Sequence, residues 1–195
     1  DRAEEQAAPA GSEMCGREPL RPIVVADPKS DFNRFRGATL LKPNWPEAVA
    51  ASDGSEPGGV GRNHVPVTAS PLRAARQAML EKLQREYGVH DVVVTRGAAG
   101  MSALEAGGRF TDVPTRAAEV FDVQGAGDTS VATLALCRAA GASLVEACIV
   151  ANAAARIAVE KAGTAVVMHA ELRGALSDTV AAIARFDESG NEEQA

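Results

Sequence analysis

The sequence predicts a layered α/β domain, a sheet with helices packed against it. Three observations predict it. Short β-branched runs recur between Pro22 and Val113, separated by helical or turn-forming stretches. One of them, DVVVT at Asp91–Thr95, has the continuous apolar character of a strand covered on both faces. Beyond Asp128 the chain reads as helix almost throughout, in alanine- and leucine-rich segments.

Taken in order, residues 1–22 are rich in Ala, Glu, Gly and Pro and read as a loose lead-in. PIVVADP, Pro22–Pro28, is a β-branched run ended by a turn, and so a first strand. ATLLKPN, Ala38–Asn44, gives a second strand that Pro43 closes. Ala51–Pro66 is a stretch of turn formers, long enough for a functional loop. In Ser70–Tyr87, Pro71 suits a first helical turn, Leu72, Ala75, Met79 and Leu83 recur at helical spacing, and Gly88 stops the helix. After the Asp91–Thr95 strand and the turn RGAAG, two short strands, Met101–Ala106 and Arg109–Val113, flank Gly107-Gly108 as a hairpin. Helices follow at Thr129–Ala140, Ser143–Lys161 and Glu171–Phe186. Gly141 is a stop signal, and Ser143 with Glu146 forms a capping-box pattern. Residues 187–195 read as a solvated, disordered tail.

Bulk properties narrow the function. The 195 residues suffice for one domain, and 46% hydrophobic content allows a sizeable core. A net charge of −6 argues against nucleic acid or an anionic membrane as the main partner. No apolar run approaches the roughly 20 residues a bilayer span needs. The start, DRAEEQAAPAG, lacks the order of a signal peptide and lacks a methionine, so a fragment or processed product is expected. Cys15, Cys137 and Cys148 are odd in number without CxxC spacing, which fits a reducing, cytoplasmic setting, with Cys137 and Cys148 as packing residues. His64, His90 and His169 show no metal-ligand spacing.

The stretch FDVQGAGDTSVATLALCRAAG, Phe121–Gly141, sets a tight pair of glycines and an aspartate where a helix begins. One reading is a turn with Asp128 as helix N-cap. The other is an anion cradle, in which small residues let a phosphoryl group approach the free N–H groups of Gly125, Ala126 and Gly127. No G-x-x-x-x-G-K-[ST] sequence and no protein-kinase motif set occurs. Three strand ends do carry polar or glycine-rich turns: Asp27–Lys29 (DPK), Lys42–Glu47 (KPNWPE) and Thr95–Gly100 (TRGAAG). In open α/β sheets, ligands bind outside the carboxyl ends of strands, and these turns occur together with GAGD.

The order DPK, K-P-N-x-x-E, V-T-R-G-x-x-G, D-V-x-G-A-G-D-T and A-N-A-A-A resembles the ribokinase-like (PfkB) carbohydrate kinase family, from about Ile23 to Val167. Val24–Asn44, VVADPKSDFNRFRGATLLKPN, resembles in particular the D-glycero-β-D-manno-heptose 7-phosphate kinases of lipopolysaccharide precursor synthesis. The resemblance implies a ribokinase-like layered sheet over residues 23–186, the C-terminal part of such a kinase, with the N-terminal half and lid absent. It implies ATP-dependent phosphorylation of a sugar hydroxyl, with magnesium and a monovalent cation, potassium, as cofactors. Asp128 would be the base, and Gly125, Ala126 and Gly127 the anion hole for the transferring phosphoryl group. Asn44 and Glu47 would hold magnesium, partly through water. Lys29, Asn44, Thr95, Arg96, Gly97, Gly100 and Asn152 would form the nucleotide site, and Asp122 would help bind the monovalent cation.

Two departures qualify the resemblance. Gln124 stands where D-V-T-G-A-G-D has threonine, and nothing in residues 1–22 can replace the half that carries the sugar pocket. A chain so reduced would leave a sheet edge exposed, so homodimerisation or pairing with a missing N-terminal half is expected. The alternatives to the heptose kinase are a non-catalytic nucleotide-binding or scaffold module and a kinase for another sugar, such as ribose or fructose.

Overall fold

Five strands form one sheet: β1 (Val25–Ala26), β2 (Leu40–Leu41), β3 (Asp91–Thr95), β4 (Met101–Leu104) and β5 (Phe110–Val113). They are visible in a computed structural model that describes residues 22–53, 73–115, 123–163 and 165–177. The strands lie in sequence order across the sheet. β1, β2 and β3 run parallel, with Val25 beside Leu40 and Leu40 beside Asp91. β3, β4 and β5 form an antiparallel meander. β5 therefore points the same way as β3, and the carboxyl ends of β1, β2, β3 and β5 open on one edge.

The helices are α1 (Trp45–Asp53), α2 (Arg73–Tyr87), α3 (Ala126–Ala139) and α4 (Leu144–Val159), followed by helical residues 169–177. Side-chain alternation along β3 divides the core in two. Val92 and Val94 pack with Leu80, Leu83 and Tyr87 of α2 on one face. Val93 packs with Leu134 of α3 and with Leu144, Ala147 and Ala151 of α4 on the other. β3 is thus covered on both faces, as its unbroken valines predict. Leu80, Leu83, Leu134 and Leu144 are almost wholly buried, each contributing about 1.5–3 kcal/mol of burial energy.

The observed strands are shorter than the sequence runs, because pairing stops where the turns begin. The third strand keeps its predicted bounds. Helix boundaries are corrected in α1, α3 and α4, and the last helical stretch begins at residue 169 and not at Glu171. Ala51–Asp53, assigned by sequence to a loop, form the last turn of α1. Their carbonyls are met from α2: Lys82 donates to the Ser52 carbonyl and the Tyr87 hydroxyl to the Ala51 carbonyl, which supplies partners a helix end otherwise lacks. The rest of the predicted loop, with His64, lies outside the described residues. The second correction moves the start of α3 from Thr129 to Ala126, with Gly125 as N-cap in the left-handed region at φ 79°. Asp128 is therefore the third residue of the helix and not its cap. The third correction ends α4 at Val159 and not Lys161.

Ser143 caps α4, and the capping box is complete: its hydroxyl accepts from the Glu146 amide at 3.3 Å and Glu146 Oε2 accepts the Ser143 amide at 2.8 Å. At the amino end of β3, the buried Asp91 accepts Arg138 of α3 at 3.1 Å and the Ala106 amide at 3.0 Å. That pair fixes the far end of α3 and leaves the amino end of α3 at the opposite, carboxyl edge of the sheet. β1 lies at one margin of the sheet, and Ile23 and Val24 beside it are exposed.

Candidate active site

The parallel register brings the three strand-end turns together. Asn44, beyond the end of β2, forms a parallel bridge with Thr95, the last residue of β3, and the Thr95 amide donates to the Pro43 carbonyl at 3.1 Å. Asn44 and Glu47 begin α1 through a reciprocal cap. The Asn44 amide donates to Glu47 Oε2 at 2.7 Å, and the Glu47 amide donates to Asn44 Oδ1 at 2.9 Å. This is the capping-box arrangement with asparagine as cap. It leaves Glu47 Oε1 facing Lys29 Nζ at 3.7 Å.

Lys29 links this corner to the first strand and to α3. Its ammonium lies 3.2 Å from Asp27 Oδ2. Burial opposes its charge, but Asp27, Glu47 and Asp128 outweigh that and raise its pKa. Asp128, exposed in the first turn of α3, is therefore close enough to Lys29 to be felt electrostatically. Beneath them Lys42, only 1% exposed, lies 3.2 Å from Asp27 Oδ1, close enough for an ion pair though not aligned for a hydrogen bond. A buried lysine at a strand end is costly unless paired, and the pairing fixes how the DPK turn sits on β2. Sequence reasoning quoted Lys42 without giving it a role; nothing in KPN reveals burial.

The GAGD segment opens α3. Gly125 needs its left-handed conformation, whereas Gly127 is helical and a Cβ there would meet no atom within 4 Å. The described residues thus give no steric or conformational reason for glycine at position 127. Glycine inside a helix costs roughly 0.5–1 kcal/mol relative to alanine. The amide of Thr129 is the first to bond back, to the Gly125 carbonyl at 2.8 Å. The amides of Ala126, Gly127 and Asp128 precede it at the positive end of the helix dipole.

On the other side of the edge lie Thr95, the Gly97–Gly100 turn, Val113–Pro114 and Asn152. Gly100 has φ 83°, and a Cβ on it would stand 2.2 Å from the Val113 carbonyl oxygen. Its glycine is demanded by backbone packing. Asn152 is buried on α4 and spends its side-chain N–H groups on the carbonyls of Val113 and Pro114, at 3.2 and 3.3 Å. It holds the exit of β5. Arg96 follows the alternation of β3 to the α2 face, where its guanidinium donates to the Ala99 carbonyl at 2.9 Å and lies 3.4 Å from Asp112. The Arg96 side chain is thus placed behind its turn, while Thr95 takes the α3–α4 face. Asp122 lies outside the described residues.

No group of three or more His, Cys, Asp or Glu side chains able to hold a metal occurs among the described residues. The oxygen donors at this edge suit magnesium all the same, because that ion keeps several waters and takes one or two carboxylates with substrate phosphates. Glu47 Oε1 is the oxygen left over from the cap.

The profile of the pfkB family carbohydrate kinases matches residues 6–171. The chain belongs to that family. It is 44% identical over 163 residues to the bifunctional protein HldE of Azorhizobium caulinodans, covering 84% of this chain and 31% of that protein. The HldE of Halorhodospira halophila is 42% identical over 173 residues, with 86% and 32% covered. The chain thus spans about a third of the length of these relatives. Among solved structures, ribokinase of Thermotoga maritima superposes with a TM-score of 0.63 at 25% identity, covering 80% of this chain and 49% of that one. Arabidopsis thaliana ribokinase, solved with ribose and ATP, gives 0.62 at 22% identity over 78% and 46%. Escherichia coli phosphofructokinase-2, solved with potassium, gives 0.61 at 21% over 76% and 43%. The last two support the ribokinase-like fold, which the sequence had suggested from its motifs.

Proposed function

We propose that this chain is the ATP-side part of a sugar kinase that phosphorylates a heptose 7-phosphate to the 1,7-bisphosphate, in lipopolysaccharide precursor synthesis. The observation that carries the reading is Gly127. It is a helical glycine that the fold does not require, with open space over it, at an amide-rich helix start beside Asp128. A phosphoryl group is the occupant that uses free amides, a helix dipole and the absence of a Cβ together. Family membership and the 42–44% identity to HldE proteins support the heptose acceptor.

In this reading Asp128 takes the proton of the sugar hydroxyl as its oxygen bonds to the γ-phosphorus and the bond to ADP breaks. The amides of Gly125, Ala126 and Gly127 receive the charge that develops on the phosphoryl oxygens, a contribution of about 3 kcal/mol per well-placed donor in comparable oxyanion sites. Lys29 neutralises the phosphates, and Asn44 and Glu47 hold magnesium partly through water. Magnesium supplies charge neutralisation across the phosphates. Thr95, Gly97 and Gly100 line the nucleotide with their backbone, and Arg96 and Asn152 shape that lining from behind. Asp122 is assigned to a potassium site. The enzyme is placed in the cytoplasm, with the sugar pocket supplied by a second copy or by the remainder of the kinase, joined along β1.

The test is ADP release with heptose 7-phosphate, ribose and fructose 6-phosphate offered in turn, wild type beside Asp128→Asn. Turnover with the heptose alone, lost in the variant while ATP affinity stays within a few-fold, supports the reading. Turnover with ribose or fructose 6-phosphate transfers it to another sugar. Nucleotide binding without turnover on any acceptor makes the chain a binding module, and an active Asp128→Asn removes the base.

A further inference from the structure

Behind the proposed nucleotide site, one carboxylate is shared by four elements. Asp112 of β5 accepts two hydrogen bonds from Arg76 of α2, Nε at 3.3 Å and Nη2 at 2.7 Å, and one from the Ser102 hydroxyl of β4 at 2.7 Å. Arg96, at the end of β3, lies 3.4 Å from the same carboxylate, and Arg73 of α2 lies 3.7 Å away. Three guanidinium groups thus converge on one acid. The bidentate pair with Arg76 is the geometry in which such contacts are strongest and most directional.

What this cluster holds is the Thr95–Gly100 turn. Arg96 reaches across that turn to the Ala99 carbonyl, and its own amide donates to the Gly100 carbonyl at 2.8 Å. Gly100 in turn lies against the backbone of Val113–Thr115 with no room for a Cβ. A displaced Arg96 would therefore move the turn and the exit of β5 together. Arg96 and Arg76 are nearly buried, with 11% and 12% of their side chains exposed. Neither guanidinium is available to reach a ligand without leaving its partner.

We propose that Asp112 is a positioning residue for the nucleotide site: through Arg96 it holds the Thr95–Gly100 backbone where phosphates and ribose are bound, and Arg76 holds Asp112. The inference rests on the nucleotide reading above and adds to it a residue pair that touches no ligand.

The test combines amide hydrogen exchange without ligand and ATP–Mg calorimetry, on wild type, Asp112→Asn, Arg96→Ala and the double variant. Each single variant is expected to speed exchange of the Gly97–Met101 amides about ten-fold, with the amides of α3 and α4 unchanged. ATP affinity should fall about ten-fold in each, and the double variant should be no worse than either single within about two-fold, because the pair acts as a unit. Unchanged exchange in the turn overturns the anchoring. Exchange that rises throughout the chain, or affinity that survives a loosened turn, overturns the positioning role and leaves Asp112 as fold stability alone. A folded wild-type chain that binds no nucleotide overturns the function reading and the affinity half of this one, while the exchange result still decides the anchoring.

Discussion

Replacing Gly127 by alanine should stabilise the protein and weaken its ligand binding at once. Position 127 is the second residue of α3, its conformation is helical, and a Cβ there meets nothing within 4 Å. The described fold therefore loses no contact, and the gain is the helix preference of alanine over glycine, about 0.5–1 kcal/mol. With a urea slope of about 2 kcal/mol per molar, the unfolding midpoint should rise by roughly 0.25–0.5 M. The open space that makes the change harmless to the fold is the space assigned to the phosphoryl group. The added methyl should lower ATP–Mg affinity, and Gly127→Val should lower it further. Urea titration and calorimetry on the same samples read both signs. A lower midpoint would show that the fold does need glycine there. A higher midpoint with unaltered nucleotide affinity would return GAGD to an ordinary helix start.

Further outcomes follow from other sites. Gly100→Ala combines left-handed backbone with a 2.2 Å approach to Val113, and should cost on the order of 2–5 kcal/mol in urea unfolding; a loss below measurement would contradict the packing described at that turn. Burial by itself would raise the Asp112 carboxyl, but Arg76, Ser102 and Arg96 outweigh it and hold it below its usual 3.8. A depressed pKa means stability that is whole above that value and lost as pH falls through the folded one. The stability advantage of wild type over Asp112→Asn should thus shrink as pH is lowered from about 5 to below 3.8; an advantage that grows on acidification would reverse the assignment. Burial pushes the Cys148 thiol up to about 12, so a thiol reagent at neutral pH should label it only after unfolding, and rapid labelling of the native chain would place it wrongly.

The unbroken valines of β3, the Ser143–Glu146 box and the Gly107-Gly108 hairpin were legible because each depends on neighbours in sequence. The start of α3 was not, since Gly127 and Asp128 are poor helix formers that draw the start toward Thr129, whereas the helix begins at Ala126. Asn44 and Glu47 admit two readings in sequence, a ligand pair or a turn and helix start; the structure shows the helix cap, and the ligand role stays with the proposal. Lys42, Arg76 and Asp112 gave no signal. Their importance lies in partners 15, 36 and 36 residues away, and only the parallel register and the packing of α2 on the sheet bring those partners near. By motif Arg96 belongs to the proposed nucleotide turn, and the two-residue alternation of β3 turns its guanidinium to the α2 face.

The central claim is that the carboxyl edge of this sheet binds a nucleotide. Calorimetric titration of the folded chain with ATP and magnesium tests it most directly. The account predicts one-to-one binding in the range of roughly 1 μM to 1 mM typical of enzyme substrates, lost in Gly127→Val. A folded chain that shows no heat of binding across that range would contradict it.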